Sequence, residues 1–349
     1  MSEQATPPQL QTDERPGAVP HSAGPDVVVA DVVVTGEALE YHRIQRAHQH
    51  KLWRPLLGVL LVGLFGFGVV PVGLLMVFGG VGALLGEGFE ASLDAVGDTS
   101  DVTVGSMAYL LLSLSLVIPV VWVVTLALNH LRLGWVTSVV GRMRWGYLWQ
   151  CVGLSVIALF ATMAVQQFVP ADAVEDIALT ANPITGEVVA MAVLILALVP
   201  FQASAEEYMF RGYLTQACGG LFANPWLARV VAVVVPAFLF ALAHGAQDPP
   251  IFFDRFAFGL TAGVLVIVTG GLEAAIAMHV LNNYLAFGLA ILFTDLSSAL
   301  EPTGGTWWSL PGTLTQSLVY LALAWWLARA KGLATTVGRP VLVSPARPV

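Results

Sequence analysis

The sequence has little charge for its length. Of 349 residues only 11% are charged, whereas 57% are hydrophobic, and soluble domains usually carry about 25% charged residues. So little charge cannot cover a surface in water, which excludes an ordinary soluble protein and predicts one that has lipid as part of its solvent. The formal net charge of −8 also excludes nucleic acid as a partner, because nucleic-acid binding needs basic patches.

Cysteine is almost absent as well. The two cysteines, Cys151 and Cys218, lie in or beside apolar stretches. Two lone cysteines supply neither a disulfide framework nor a zinc finger, so we interpret them as small buried apolar residues. No cleavable signal peptide is visible either, because the first 50 residues are polar and proline-rich. The first apolar segment is therefore expected to act as an uncleaved anchor.

Long apolar runs recur along the rest of the chain. A helix needs about 20 mostly apolar residues to cross a bilayer. Eight runs approach that length: Leu56–Val77, Ser106–Ala127, Tyr147–Val169, Val188–Gln202, Leu227–His244, Phe256–Gly270, Leu272–Phe293 and Leu314–Ala330. They predict an all-α, polytopic transmembrane helical bundle of about eight spans. The fourth and sixth runs are short, and the fourth is expected to continue through the charged segment that follows it.

The charges between the runs predict an orientation. Basic residues such as Arg43 and Arg54 precede the first run, and Arg142 and Arg144 follow the second, whereas the connections after the first and third runs are acidic. Lys and Arg accumulate on the cytoplasmic side of a membrane. Eight spans then place both termini in the cytoplasm.

Composition divides the chain into four parts. Residues 1–54 are predicted to be a disordered cytoplasmic tail, in which 37–54 look helical and end in a basic, Trp-containing flank typical of a membrane interface. Within this tail the run Val27 to Val34 could form a strand, but it has no partner nearby. Residues 55–185 hold the first spans, 186–331 hold the spans with internal polar residues and the last span, and 332–349 form a second cytoplasmic tail.

The first polar cluster within the spans contains two adjacent carboxylates. Glu207 and Arg211 are four residues apart, so on a helix they share a face and can pair. Glu206 is rotated from Glu207 by about 100° and can face a cavity instead. This arrangement separates a structural carboxylate from a titrating one. The spacing is equally compatible with an ordinary ion pair at a cytoplasmic helix end.

Two further clusters contain histidine. His244 closes an apolar run, where a histidine is more often a capping or interfacial residue than a catalyst. His279 and Asn283 share one helix face, and such residues also bridge packed helices in membranes. Of seven histidines, only His244 and His279 belong to the apolar runs around the carboxylate pair. That placement favours a single site over three unrelated features.

The three clusters resemble, in order, the motifs of the CPBP family, which comprises CAAX-prenyl proteases and bacteriocin-processing or immunity proteins and is also called the Abi family. The resemblance spans about residues 186 to 290 and is carried by Glu206-Glu207-x-x-x-Arg211, Phe240-x-x-x-His244 and His279-x-x-x-Asn283. It implies that residues 186–331 contain a CAAX-protease-like catalytic core. It also implies an intramembrane endopeptidase that hydrolyses membrane-associated proteins or peptides.

The resemblance further implies a role for each motif residue. Glu206 and His244 would activate the attacking water, His279 and Asn283 would stabilise the oxyanion, and Glu207 and Arg211 would orient and support the site. A buried carboxylate can act as the general base. Alternatively, Glu206, His244 and His279 could bind Zn²⁺ as a catalytic set of two His and one Glu. The His-Glu-x-x-His zinc signature is absent, so a mechanism that requires no cofactor is favoured.

Two other classes of function stay open. Polar residues inside a bundle also mark the ion or proton pathways of transporters, although no internal repeat is apparent. A non-catalytic membrane immunity or scaffold protein is the third class. Loss of substrate uptake in a Glu206→Gln variant, when even the wild type cleaves nothing, would favour the transporter. A cell phenotype that survives both Glu206→Ala and His244→Ala would favour the scaffold.

Simple alternation of the spans raises a difficulty for a single site. It places His244 at the outer end of the fifth span and Glu206 and His279 near the cytoplasmic side of a bilayer about 30 Å thick. Side chains so far apart cannot share a water molecule. We therefore predict that the fourth helix extends through Arg211, and that Glu206, His244, His279 and Asn283 converge within the membrane.

Overall fold

A computed structural model describes residues 27–29, 32–34, 38–46, 51–98, 100–170, 181–245, 248–300, 305–337 and 341–342. A 3-10 helix covers Tyr41–Arg46. The other helices of the described residues are, in chain order, α1 (Trp53–Leu84), α2 (Phe89–Gly97), α3 (Val104–Leu128), α4 (Gly134–Thr137), α5 (Trp145–Gln166), α6 (Gly186–Leu221), α7 (Pro225–Ala243), α8 (Pro249–Thr269), α9 (Glu273–Phe293), α10 (Leu296–Leu300) and α11 (Ser309–Ala330).

The long helices form a polytopic bundle, which confirms the predicted all-α fold of an integral membrane protein. Within the described ranges, seven helices (α1, α3 and α5 to α9) are long and apolar enough to cross a membrane. Many of their large apolar side chains point outward: Leu60, Trp149 and Phe160 expose 68%, 67% and 66% of their surface. Apolar helices that expose such side chains face lipid. The eighth predicted span corresponds to α11, whose 22 residues are long enough to cross but less apolar.

The fourth span is much longer than its apolar run. Helix α6 has 36 residues, so Glu206 lies near its middle rather than at its end, and the prediction that it continues through Arg211 is confirmed. Its segment Tyr208–Leu214 is π-helical, a local widening that is frequent at functional sites. Just after this segment, the Thr215 hydroxyl donates to the carbonyl oxygen of Phe210 within it, at 3.1 Å, and to that of Ala232 in α7, at 3.0 Å. Thr215 thus connects the π-helical segment to the neighbouring helix.

A buried ion pair sets the position of α9, the helix that carries His279. The Arg144 guanidinium contacts both oxygens of Glu273, with Nε 2.8 Å from Oε1 and Nη2 2.6 Å from Oε2, and Arg144 Nη1 donates to the Thr269 carbonyl at 2.9 Å. A two-point contact of this kind restricts orientation as well as distance. It therefore anchors the start of α9 to the end of α8 and the start of α5.

The 3-10 helix Tyr41–Arg46 lies against the C-terminal end of α6. Tyr41 and His42 are fully buried, Arg46 Nη1 donates to the Gly220 carbonyl at 2.9 Å, and Gly219 leaves room for the His42 carbonyl. The sequence predicts a helical segment over 37–54. Its described residues, 38–46 and 51–54, contain this 3-10 helix, whose apolar side chains pack on protein, and the first two residues of α1.

Three short strands join the two tails. β1 (Val27–Val29) pairs antiparallel with β2 (Val32–Val34), and β2 pairs antiparallel with β3 (Val341–Leu342). The valine run thus forms a hairpin with itself, and its second strand also pairs with residues near the other end of the chain. That second partner is far away in the sequence, so the valine run alone does not indicate it. The predicted disorder of residues 1–54 falls largely outside the described residues.

Candidate active site

Glu207 and Arg211 form the ion pair that their spacing predicts. Arg211 Nη1 lies 3.1 Å from Glu207 Oε1, and both side chains are buried, with 1% and 0% of their surface exposed. Such a pair needs additional partners, because taking two charges out of water costs several kcal/mol per ion. The surroundings supply some of them, whereas Glu207 Oε2 and Arg211 Nε and Nη2 have no hydrogen-bond partner among the described residues.

The partner of Glu207 is an imidazole from another helix. His279 Nδ1 lies 2.7 Å from Glu207 Oε1, which is a short hydrogen bond. A carboxylate that accepts from Nδ1 directs the opposite nitrogen, Nε2, away from itself. His279 is therefore oriented by Glu207, and its Nε2 is available to the rest of the site.

The partners of Arg211 are aromatic rings. Its guanidinium carbon lies 4.1 Å from the centroid of the Phe240 ring and 5.9 Å from that of Phe258. Cation–π contacts contribute about 2 kcal/mol when they are desolvated. The Phe240 ring also lies edge to face with His244, at 4.5 Å, and with His279, at 5.8 Å. Phe240 thus holds the arginine and both histidines in a fixed relation.

Two side-chain amides, those of Gln202 and Asn283, hold Glu206 through a chain of hydrogen bonds. Gln202 Nε2 donates to Glu206 Oε1 at 2.5 Å, and Asn283 Nδ2 donates to Gln202 Oε1 at 3.0 Å. Because a carboxylate only accepts hydrogen bonds, the amide nitrogen of Gln202 must face Glu206. The amide oxygen of Gln202 then faces Asn283 and accepts from its Nδ2. The chain joins α6 to α9 beside the Glu207–His279 contact.

The second oxygen of Glu206, Oε2, makes no hydrogen bond to the described part of the protein. Oε2 is buried and has no hydrogen-bond partner among the described residues, and it lies 3.6 Å from His279 Nε2. That separation is too long for a direct hydrogen bond. A water molecule on the cavity side could lie about 2.8 Å from both atoms. This is the reach that a general base needs for the water it deprotonates.

His244 approaches the same space from the end of α7. Its Nδ1 lies 2.8 Å from the Phe240 carbonyl oxygen, one turn earlier in the chain. This contact directs Nε2 outward from the helix end. The ring lies within electrostatic range of Glu206 and His279.

A cavity of about 880 Å³ connects these groups, and Glu206, His244, His279 and Asn283 all line it. The four residues thus border one cavity, as predicted, and their depth in the membrane stays a prediction. Glu207 and Arg211 are buried behind the cavity wall. Apolar side chains also line the cavity: Phe67, Leu110, Leu111, Leu114, Val117 and Phe287.

The cavity residues do not form a ready metal site. Glu206, His244 and His279, the set that the sequence offers for Zn²⁺, all face the cavity. However, no group of three His, Cys, Asp or Glu side chains in the described residues is arranged to hold a metal ion. The atoms turned toward one another are instead Glu206 Oε2 and His279 Nε2, a pair suited to a water molecule.

Sequence reasoning assigned no role to three contributors to the site. Gln202 precedes Glu206 by four residues, so an amide at that spacing in an apolar run was the available signal. Phe240 belongs to the second motif, but its contact with Arg211 was not predicted, and Phe258 carries no signal, because a phenylalanine in a membrane span is ordinary. The contact of His279 with Glu207 was also missed, since it joins residues that are 72 positions apart.

Comparison with known proteins confirms the family resemblance over the region that contains the site. Residues 188–285 match the family model described as type II CAAX prenyl endopeptidase Rce1-like. The chain is also similar to the uncharacterized protein YyaK of Bacillus subtilis (strain 168), with 32% identity over 143 residues that cover 38% of this chain and 46% of YyaK. The chain thus matches less than half the length of that curated relative. No solved structure matches the chain. The family match supports a membrane protease.

Proposed function

We propose that the chain is an intramembrane endopeptidase that hydrolyses peptide bonds of membrane-associated proteins or peptides. The observation that carries this proposal is that Glu206 Oε2 has no hydrogen-bond partner in the part of the chain that the structure describes and lies 3.6 Å from His279 Nε2 at the wall of the cavity. The family match over residues 188–285 supports the same reaction class.

The hydrolysis begins with a water molecule bound between Glu206 Oε2 and His279 Nε2. Glu206 removes one proton as the water oxygen attacks the carbonyl carbon of the substrate. The negative charge that develops on the carbonyl oxygen needs donors aimed at that position, and each such donor is worth about 3–4 kcal/mol. Asn283 borders this space, and its Nδ2 has a second N–H group to donate. His244 Nε2 also borders it and donates there only in the imidazolium form, because the Nδ1 proton is already donated to the Phe240 carbonyl. Glu206 then passes its proton to the departing amine nitrogen as the carbon–nitrogen bond breaks.

This assignment exchanges the roles of the two histidines. The family resemblance implies that His244 activates the water and that His279 stabilises the oxyanion. The short contact with Glu207 orients His279 toward Glu206, so we assign His279 to the water. His244 enters from a different helix and, as an imidazolium with Nδ1 donating to the Phe240 carbonyl, is suited to donate from Nε2 to the carbonyl oxygen of the substrate. Glu207 and Arg211 act through His279 and touch no substrate.

The oxygen of Glu206 that takes the proton needs a fixed direction. Gln202 holds Oε1 at 2.5 Å and so leaves Oε2 toward the cavity. The apolar side chains of the cavity lining are suited to an apolar substrate segment and limit the water in the site, which strengthens the electrostatic contacts.

The test is a comparison of membrane proteins carrying new amino termini, made with wild type, Glu206→Gln and Glu187→Gln. Glu187 is an exposed carboxylate at the start of the same helix and controls for loss of charge. New termini should appear with wild type and Glu187→Gln and be absent with Glu206→Gln. Termini that persist in Glu206→Gln at the wild-type level would overturn the proposal. Activity that disappears on chelation and returns only with stoichiometric zinc would overturn the metal-free mechanism and leave the endopeptidase activity standing.

A further inference from the structure

Two charged side chains of α8 line the cavity but belong to none of the three motifs. Asp254 and Arg255 precede Phe258, whose ring lies 5.3 Å from that of His279. Residues three apart share a helix face, so Arg255 lies about 4.5 Å along the helix axis from Phe258. The charged residues therefore border the proposed site on the side where α7 meets α8.

Arg255 shares the cavity with the reactive groups. Glu206, His244 and Arg255 all line it, and the His244 ring lies within electrostatic range of the other two side chains. A substrate that occupies the cavity therefore meets both the groups that act on the peptide bond and the guanidinium on α8.

Arg255 differs from two other arginines that are largely buried against the spans. Arg144 pairs with Glu273 at 2.6 Å, and Arg211 pairs with Glu207 at 3.1 Å. For Arg255, the described part of the chain provides no ion pair, and its buried Nε has no hydrogen-bond partner there. A cation at a cavity between apolar helices is costly without a partner and generally marks a functional site.

Asp254 shows the complementary feature. Thr313 of α11 interacts with this carboxylate, but its buried Oδ1 has no hydrogen-bond partner among the residues that the structure describes. Asp254 also interacts electrostatically with the adjacent Arg255, but Asp254 Oδ1 and Arg255 Nε both lack a hydrogen-bond partner among the described residues. An acceptor beside a cationic donor suits a ligand with an N–H group and a negative charge close together. A peptide segment that bears a carboxylate has both.

We propose that Arg255 binds a carboxylate of the substrate, and that Asp254 accepts a backbone N–H from the same part of the peptide. The inference rests on the proposed function. A guanidinium matches a carboxylate in a planar two-point geometry. Because an extended chain advances about 3.3–3.6 Å per residue, the carboxylate lies within a few residues of the scissile bond. Its source is either the carboxyl terminus of the substrate or an Asp or Glu side chain.

The test uses a fluorogenic peptide that spans a cleavage site found among the new termini. It is made in three forms: with all carboxylates, with a C-terminal carboxamide, and with Asn or Gln in place of Asp or Glu near the scissile bond. Wild type should lose about tenfold or more in kcat/KM on one of the two amide forms, since a charge-assisted hydrogen bond contributes that much. The form that is impaired identifies the source of the carboxylate.

Variants assign this preference to Arg255. Arg255→Gln should cleave the carboxylate and amide forms equally, and Arg255→Lys should retain part of the preference. Arg142→Gln removes an exposed arginine outside the cavity and should keep the wild-type ratio. Because each ratio is measured within one preparation, the amount of folded protein cancels.

The outcomes separate this inference from the proposed function. Wild type that cleaves all three forms equally, or Arg255→Gln that keeps the wild-type preference, overturns the subsite and leaves proteolysis standing. Glu206→Gln that cleaves as fast as wild type overturns the proposed function whatever Arg255 does. Wild type that cleaves none of the forms overturns both.

Discussion

His279 Nδ1 lies 2.7 Å from Glu207 Oε1, so the carboxylate that pairs with Arg211 also orients the imidazole that faces Glu206. The adjacent glutamates therefore have different environments. Glu207 is enclosed by charged partners and fully buried, whereas Glu206 has one oxygen toward the cavity. Contacts with both ring nitrogens of His279 connect the two.

Glu206→Gln and Glu207→Gln should fail in different ways. Glu206→Gln should abolish proteolysis with little change in thermal stability, because Gln202 can reorient its amide toward the new side chain. Glu207→Gln leaves Arg211 buried without its counter-charge, and breaking a buried pair costs about 3–5 kcal/mol. Thermal unfolding in detergent, measured beside proteolysis, distinguishes them. Equal loss of stability in the two variants would contradict the division of roles.

Gln202→Leu should lower kcat rather than raise KM. The change removes the donor to Glu206 Oε1 and leaves the carboxylate free to rotate away from the water. Hydrogen bonds to charged groups are worth about 1.5–3 kcal/mol, which corresponds to a loss of roughly tenfold or more in kcat. Steady-state kinetics on the fluorogenic peptide measure the effect.

Gln216→Leu is the matched control for Gln202→Leu. Gln216 is a buried amide on the same helix, and its Nε2 donates to the Trp135 carbonyl at 2.7 Å, but it does not line the cavity. Its loss should lower the free energy of unfolding by about 1–3 kcal/mol and leave kcat unchanged. Similar kcat losses in both variants would show that Gln202 acts through stability alone.

Gly219→Ala should destabilise the docking of the N-terminal 3-10 helix. A Cβ atom at Gly219 would lie 2.2 Å from the His42 carbonyl oxygen, whereas one at Gly220 would lie 3.7 Å from the Gln45 Cβ, an ordinary contact. Overpacking of this kind costs about 1–3 kcal/mol. Gly219→Ala should therefore lower the Tm and speed proteolytic nicking near Tyr41, and Gly220→Ala should do neither. Equal behaviour of the two variants would mean that the helix is not docked in this way.

The buried His42 should make stability depend on pH. Burial lowers its pKa from 6.5 to about 4, so the unfolded chain takes up a proton at a higher pH than the folded protein. Stability should therefore fall as the pH drops from about 6.5 toward 4, by about 3 kcal/mol at most. Burial raises the pKa of Glu40, but the contact with Arg229 outweighs it and leaves the pKa below the ordinary value of 4.5. The stability that this carboxylate contributes is therefore lost only as the pH falls below that ordinary value.

The comparison with His42→Leu isolates this residue from the other histidines. The variant should show a shallower fall in the free energy of unfolding between pH 6.5 and 5 than the wild type. Denaturant unfolding at several pH values measures both slopes. Identical slopes would contradict the buried, neutral state of His42.

The fold was largely accessible from the sequence, because the requirement for long apolar helices in lipid shows directly in composition. The runs at Leu56–Val77, Ser106–Ala127 and Tyr147–Val169 each fall within or closely beside an observed helix. The run Val188–Gln202 is much shorter than helix α6, which it predicts, because the hydropathy of the sequence drops where the buried charged residues begin. Helix α6 continues through that drop, since Arg211 is enclosed by Glu207 and aromatic rings instead of facing lipid.

The site was accessible in part. Spacing alone predicted that Glu207 and Arg211 pair and that Glu206 turns to a different face, because helix geometry is local. Spacing could not predict the Glu207–His279 contact or the Asn283–Gln202–Glu206 chain. These contacts depend on how α6 and α9 pack, which involves residues far apart in the chain.

Local patterns in the chain were enough to establish a membrane bundle, the helix faces of its polar residues and the family resemblance, because each depends on composition or on neighbours within a few turns. Tertiary packing decided which oxygen of Glu206 is left without a partner, that His279 faces it, and that His244 reaches the same cavity from another helix. The physical reason is that the burial and hydrogen bonding of one polar atom depend on side chains from several helices. No stretch of sequence shows their relative depth and rotation.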